Sequence, residues 1–399
     1  MLNLLWLLLP IACAGGWFAG RRSLRDSNPD DFWKHAFNYH RGLNYLLNEP
    51  LDAVNEHKPV ELFVGNRDID QDTAETHLAL GNLYRRRGEL DRAILVHQSV
   101  VDKEQLDVST RELARFELAR DYDSAGLFDR AESLLQQLVA GTHQRDLAYR
   151  NLLSLYERES DWEQAIKVAR EMQKQTGADN NQLLAHYHCE LAHLALSAET
   201  DKAFNDPQQA HELLLQALAA NSACSRAQMM LAQLAFKRGD YQEVIERYEI
   251  VEQLRPELMP EIISPLLQAL TNLGDQSRLR AYVARIESRL NAYSVVKTTR
   301  ATLEQLDGVA AADEFFKEQI VKRPSLKGLR DWAHGQLSRS RPEERDKIAV
   351  MVDMLDQVVK EKPGYVCADC GFSGQSLHWR CPGCGHWDTV HTVIGAEGE

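Results

Sequence analysis

Apolar residues recur at helical spacing along most of the chain, from about residue 31 to residue 362. Within each run they lie three or four positions apart, and the strict alternation that is typical of strands is rare. A Gly or an Asp separates successive runs, which indicates short turns between paired helices. The pattern therefore predicts an all-α body made of helical hairpins. A chain of 399 residues exceeds the size at which one hydrophobic core stops growing, which favours a repeat array or several domains.

One stretch of this body meets every offset of the tetratricopeptide repeat, with small or apolar residues at several positions. Its residues are Leu231, Ala232, Ala235, Gly239, Val244, Tyr248, Val251 and Pro256. Upstream, the alanine position recurs at Ala93, Ala131 and Ala165, in steps of 38 and 34 residues. A small side chain is needed there because the two helices of a hairpin cross closely. The spacing predicts about eight or nine units over residues 32–362, forming a solenoid whose concave groove binds partner peptides or helices.

The first residues predict a membrane anchor. No charged residue occurs between Leu2 and Gly20, and nineteen helical residues span roughly 29 Å, close to the thickness of a bilayer core. Arg21, Arg22 and Arg25 follow this run, so a cleaved signal peptide is disfavoured. A lipoprotein signal at Cys13 is disfavoured by Pro10. We expect a transmembrane helix at residues 1–20 and a linker at 21–31, with the N-terminus periplasmic and the body in the cytoplasm.

Composition and charge narrow the function further. The net charge is −13, with 46 Lys and Arg against 59 Asp and Glu, which argues against a nucleic-acid-binding protein. The sequence contains no Gly-rich phosphate loop, and it does not by itself identify a Ser/His/Asp set. We therefore expect the protein not to be an enzyme. A helical stretch with His186, His188, Cys189, Glu190 and His193 lacks metalloprotease spacing, because His188 and His193 lie about 140° apart around the helix. We interpret it as ordinary helix.

The C-terminal stretch, residues 363–399, carries one strong chemical motif. Cys367 and Cys370 form one Cys-x-x-Cys pair, Cys381 and Cys384 form a second, and ten residues separate the pairs. Four thiolates at this spacing predict a closed, tetrahedral, structural metal site with one zinc per chain. Gly371 and Gly385 follow the pairs, where a positive φ is often needed. We expect Tyr365, Phe372, Trp379 and Trp387 to form a small apolar cover or docking face.

The cysteine motif permits two other interpretations. An iron centre for electron transfer is less favoured than zinc, because rubredoxins have a longer stretch between the pairs and no redox partner domain is apparent. A zinc ribbon that binds nucleic acid is disfavoured, because Arg380 is the only Lys or Arg from Pro363 to Glu399. Contact with protein is the role that remains.

Three parts in this order resemble the lipopolysaccharide assembly protein B family over essentially the whole chain: the anchor that ends at Arg22, the tetratricopeptide body and the cysteine tail. Two stretches of the body carry the resemblance, residues 78–84 (LALGNLY) and residues 125–132 (AGLFDRAE). The departures are Pro59 at an alanine position and a long loop near residues 199–207.

The resemblance implies a single-pass protein of the bacterial inner membrane with a rubredoxin-like zinc module that docks on the repeats. It also implies an adaptor that presents the lipid A pathway deacetylase to a membrane AAA+ protease, opposed by a lipopolysaccharide-sensing membrane regulator. A scaffold that gathers lipopolysaccharide synthesis and transport proteins is the alternative. The sequence leaves homo-oligomerisation and the partner-binding residues of the groove open.

Overall fold

The computed structural model describes residues 69–197, 206–287 and 292–398. The predicted transmembrane helix at 1–20, the linker at 21–31 and the opening repeat with Pro59 lie outside these residues, as does most of the loop near 199–207. Of the helices that the structure does describe, none is long and apolar enough to cross a membrane. The chain divides into two compact units, Met1–Arg158 and Glu159–Glu399.

The described part of the first unit consists of helices joined by short turns. They are α1 (Gln71–Arg86), α2 (Leu90–Val101), α3 (Val108–Ser124), α4 (Phe128–Val139) and α5 (Arg145–Glu159), the last of which ends one residue beyond the unit. Asp70 and Asp107 cap α1 and α3 by accepting hydrogen bonds from backbone N–H groups in the first turn. Ala93 and Ala131 are fully buried where helices cross. The small-residue positions of the repeat therefore lie in the core, as the spacing predicts.

The second unit continues the helical hairpins. Its helices are α6 (Trp162–Thr176), α7 (Asn181–Leu196), α8 (Pro207–Ala220), α9 (Ser225–Arg238), α10 (Tyr241–Leu254), α11 (Met259–Leu273), α12 (Gln276–Glu287), α13 (Tyr293–Asp307), α14 (Val309–Lys322), α15 (Leu326–Arg339) and α16 (Pro342–Glu361), with a short 3₁₀ turn at Pro256–Leu258. The alanine position of the repeat is again fully buried, at Ala165, Ala210, Val244 and Ala312. The largest core cluster runs from Met229 to Phe316.

A small antiparallel sheet follows the last helix. Its strands are β1 (Tyr365–Cys367), β2 (Ser373–Gly374) and β3 (Val390–Thr392), in the order β2-β1-β3. Strands this short cannot bury a core of their own, and the buried apolar side chains of this module are those of Cys367, Cys381 and Val390. The prediction of a mostly helical tetratricopeptide-repeat fold with a small C-terminal ribbon is confirmed, apart from the transmembrane helix.

Candidate metal centre and its docking surface

The four predicted ligands lie together at one end of the C-terminal module. The sulfur atoms of Cys367, Cys370, Cys381 and Cys384 all lie within 4.8 Å of one another. Cys367 and Cys384 are 3.8 Å apart and Cys370 and Cys381 are 3.6 Å apart, measured between Sγ atoms. Four metal–sulfur bonds of about 2.3 Å in a tetrahedron place sulfurs roughly 3.8 Å apart. The cluster therefore fits a tetrahedral thiolate-bound metal.

Two turns of the same design present these sulfurs. In the first turn, the N–H of Gly371 donates to the carbonyl of Cys367 at 3.0 Å. In the second turn, the N–H of Gly385 donates to the carbonyl of Cys381 at 2.9 Å. The N–H of the first cysteine donates to the carbonyl five residues later, at Phe372 or His386. Both glycines have φ of 75°, in the left-handed region that a side chain disfavours. The predicted positive φ after each pair is confirmed, and the turns fix where the sulfurs point.

The environment of Cys367 favours the thiolate, which is the form that binds metal. Its Sγ lies 3.3 Å from the hydroxyl oxygen of Thr389, the residue before β3. Hydrogen bonding with this hydroxyl, followed by that with the N–H groups of Cys370 and Asp369, lowers the pKa of Cys367 to about 6 despite its desolvation.

The module docks on the repeat helices mainly through Trp387. The Trp387 ring stacks on His186 of α7, with ring centroids 4.8 Å apart and an angle of 18° between the planes. Trp162 of α6 and Tyr187 of α7 meet it edge to face at 6.2 and 6.1 Å. The guanidinium of Arg226 on α9 lies 5.9 Å from its centroid. One aromatic side chain of the module thus contacts three repeat helices, α6, α7 and α9.

Asp388 supplies the polar part of the same interface. Its carboxylate accepts hydrogen bonds from Nε2 of His186 and Nε2 of Gln182, both at 2.8 Å, and from Nη1 of Arg255 at 3.4 Å. Burial alone raises the pKa of Asp388, but these hydrogen bonds and the nearby positive charge outweigh it and leave the pKa below its ordinary value. Asp388 also has φ of 58°, unusual for a residue other than Gly. The interface therefore depends on the backbone that follows the second cysteine pair.

Contacts at the edges complete the docking. The Tyr365 hydroxyl donates to the Glu261 carboxylate on α11. The N–H of Leu326, at the start of α15, donates to the carbonyl of Ala396 at 2.8 Å. Leu377 and Trp379 pack against the large apolar core of the repeats. The ribbon is thus held along its length rather than at one point.

The sequence located the ligands, and the resemblance implied docking on the repeats, but neither identified the repeat residues that form the docking surface. His188 and His193 belong to none of the candidate metal groups found in the described part of the chain. His186, interpreted from sequence as ordinary helix, instead contacts both Trp387 and Asp388. Trp387 was expected in a small apolar cover or docking face, and it lies in the docking face. In the sequence, His186 is only one polar residue on a predicted helix. The structure shows that it lies on a buried helix face and is 1% exposed.

Helical repeats that carry a docked four-cysteine ribbon define a class of tetratricopeptide-repeat proteins with a rubredoxin-type metal-binding module. Tetratricopeptide repeat models match residues 76–109, 116–180 and 198–256, and a model described as "Rubredoxin metal binding domain" matches residues 365–392.

The chain belongs to the lipopolysaccharide assembly protein B family. It is 33% identical over 402 residues to lipopolysaccharide assembly protein B of Escherichia coli (strain K12), and the match covers 100% of both chains. The protein of that name from Haemophilus influenzae is 30% identical, again with 100% of each chain covered. A solved tetratricopeptide repeat protein from Parabacteroides merdae is 14% identical, and the match covers 71% of this chain and 99% of that chain with a TM-score of 0.32.

Proposed function

We propose that the protein is a membrane-anchored, non-enzymatic adaptor that restrains lipopolysaccharide synthesis. In this role it promotes proteolysis of the lipid A pathway deacetylase by a membrane AAA+ protease. The observation that carries the proposal is similarity to lipopolysaccharide assembly protein B over the whole chain, and not over the repeats alone. A lipopolysaccharide-sensing membrane regulator would oppose this activity.

The uncharged run at residues 1–20 supports an inner-membrane anchor, and Arg21 and Arg22 after it support a body in the cytoplasm. Zinc is our proposed metal, held by Cys367, Cys370, Cys381 and Cys384. The sulfur geometry suits zinc and iron equally, so the choice rests on the ten-residue spacing between the pairs and on the role of the module as a docked, structural element. When bound, the metal supplies folding free energy to a module that has little core.

An adaptor of this kind needs no chemistry of its own. Holding a protease substrate beside a membrane-bound protease raises its effective concentration toward the mM range that short tethers give. Repeat helices supply extended binding surface for such a substrate. The docked ribbon covers part of α7 and α9, so it shapes the surface that those helices present.

A scaffold that gathers lipopolysaccharide synthesis and transport proteins is the second candidate. The word "assembly" in the relatives' name favours it. The two functions differ in one outcome, because only the adaptor controls the lifetime of the deacetylase.

The test is the half-life of the deacetylase after protein synthesis is stopped, in cells with the intact chain, a chain lacking residues 1–20, or Cys367→Ser, at matched abundance. We expect the deacetylase to be long-lived with both altered forms and short-lived with the intact chain. Cys189→Ser, which changes a cysteine outside the cluster, is the matched control and should behave as the intact chain. Normal turnover with the anchorless form would contradict tethering and favour the scaffold.

The topology has its own test. A reporter that is active only in the cytoplasm, fused after Glu399, should be active. Activity of a periplasm-only reporter at the same position would overturn the orientation.

A further inference from the structure

A cleft of about 490 Å³ lies where the metal module meets the repeats. One wall comes from α7 and α9, and the other from residues 377–380 between β2 and the second cysteine pair. The cleft exists because Trp387 and Asp388 hold the module against these helices. It is therefore a product of docking, and neither part forms it alone.

The charge of this cleft is opposite to that of the chain. Arg226 and Arg380 both line it, and their guanidinium groups lie 5.9 and 6.0 Å from the centroid of the Trp387 ring. Among the lining residues Glu190 is the one carboxylate, and it pairs with Arg226 at 2.9 Å. Arg380 is also the only Lys or Arg between residues 363 and 399. In a chain of net charge −13, this cleft is a local site for a negatively charged group.

The remaining lining favours a peptide over a simple anion. Met229 and Met230 of α9 and Leu377 of the module supply apolar surface beside the two arginines. Methionine side chains are flexible and polarisable, and they adapt to apolar groups of different shape. Arginine is suited to carboxylates because its planar fork donates two parallel hydrogen bonds.

We propose that this cleft binds a short acidic peptide segment of a partner protein, with a carboxylate toward Arg226 and Arg380 and a neighbouring apolar side chain against the methionines. The proposal rests on the adaptor function and deepens it, since it assigns one recognition site and the chemistry of the segment recognised. Because the module forms one wall, the metal controls whether the site is assembled.

The test measures binding of a fluorescein-labelled hexapeptide of alternating glutamate and leucine to the full-length, metal-loaded chain in detergent, by fluorescence polarisation. We expect binding that weakens as salt is raised and that is lost when the metal is removed. A hexapeptide of glutamine and leucine should bind more weakly. Equal binding of the two peptides, or displacement of the acidic peptide by inorganic phosphate at mM concentration, would overturn the proposal.

Introducing a charge of either sign at one exposed, neutral lining residue, Gln233, makes the test specific to the cleft. Gln233→Glu should weaken the acidic peptide roughly two- to fivefold and Gln233→Lys should strengthen it by a similar factor, as expected for exposed charge pairs. Gln216→Glu, an exposed position of α8 outside the cleft, is the matched control and should leave binding unchanged. If all three variants bind alike, the peptide binds elsewhere and the proposal is wrong.

Deacetylase turnover separates this proposal from the function on which it rests. If the peptide and the Gln233 variants behave as expected while deacetylase half-life is independent of the chain, the adaptor function fails and the acidic-peptide site stands. If turnover depends on the chain but the peptide results fail, the adaptor function stands and the site is wrong.

Discussion

Two regions of the molecule hold neighbouring elements together by opposite means. In the first unit, helices α1, α2 and α3 are joined by buried charges: Arg85 lies 2.7 Å from Asp121 and 2.5 Å from Glu117, and His97 contacts Asp121. In the second unit, the metal module is joined to the repeats mainly through one aromatic ring and one acid, Trp387 and Asp388. The first uses charges within a continuous stack of helices, whereas the second uses a surface that a metal must organise.

Each buried charged side chain of this group lies close to polar partners. The side chains of Asp121 and His97 are fully buried, and Nε2 of His97 lies 3.2 Å from the carbonyl oxygen of Leu78. Both ring nitrogens of His97 thus lie near oxygen atoms, the carboxylate of Asp121 and the carbonyl of Leu78. Arg85 pairs with Asp121 and with Glu117 in the same group. Buried charges are tolerated when they are paired in this way, and removing one partner is costly.

The separation of two residues along the sequence decides which kind of contact can hold the neighbouring elements together. Residues of the charged group lie within 36 positions of one another, so adjacent repeats position them directly. His186 and Asp388 are 202 positions apart, so the chain between them cannot set their geometry. There the two cysteine turns orient the backbone that carries Trp387 and Asp388, and loss of the metal should release both contacts together.

The largest effect should come from a metal ligand. Cys381→Ser removes a buried ligand, and because structural metal binding is worth about 10 kcal/mol or more, the module should unfold and undock. The measurements are metal content and the protease sensitivity of the C-terminal module. With about 35 residues, this module is of a size at which a domain usually needs a metal to fold. Cys189→Ser is the control and should keep the metal. A folded, protected tail without metal would contradict the account.

In the first unit the largest effect should come from Asp121. Asp121→Asn leaves Arg85 and His97 without their shared carboxylate, and the free energy of unfolding should fall by about 3–5 kcal/mol. Asp123→Asn, two residues along α3, is the control: its pair with Arg158 is 28% and 41% exposed, so less than about 1 kcal/mol is expected. Urea denaturation of both variants gives the comparison. Equal losses would mean that burial does not distinguish the two pairs.

The same two regions differ in how much of their structure could be predicted from the sequence. The cysteine ligands and the buried alanines depend on local spacing, which one sequence displays. Gly81 lies in the stretch at residues 78–84 that carries the family resemblance, but only the structure shows why glycine is needed there: a Cβ would clash with the His97 ring. The partnership of His186 with Asp388 has no local signature at all. What depends on three-dimensional packing between distant residues therefore had to be read from the structure.

A smaller effect is expected at Asp388. Asp388→Asn should weaken docking by about 1–3 kcal/mol, because a charge-assisted hydrogen bond to His186 is lost. The folded pKa of Asp388 is lowered, so its contribution is fully present above the ordinary value of about 3.9 and is lost as pH falls through the lower folded value. Hydrogen exchange of residues 386–392 measured from pH 7 to pH 3 should show this acid loss in the parent and not in Asp388→Asn. An unchanged acid response in the variant would assign it to another group.

A dependence of stability on pH should distinguish His188, which is buried, from His193, which is exposed on the same helix. Burial, and then the charge of Arg170, lowers the pKa of His188 to about 4, so this ring is neutral in the folded state. The unfolded chain takes up the proton below pH about 6.5, so stability should fall as pH drops from there toward 4, by at most about 1.4 kcal/mol per pH unit. His188→Gln should remove this slope from the urea midpoints, while His193→Gln, exposed on the same helix, should not. An unaltered slope in His188→Gln would contradict the assignment.

The central claim is that the metal organises the docking surface of the second unit and has no part in the first. Hydrogen–deuterium exchange of the full-length chain, before and after metal removal by a chelator, tests it directly. We predict faster exchange in residues 365–392 and around His186 in α7, with no change in α1 to α3 (residues 71–124). Unchanged exchange in α7, or an equal increase in α1 to α3, would contradict the account.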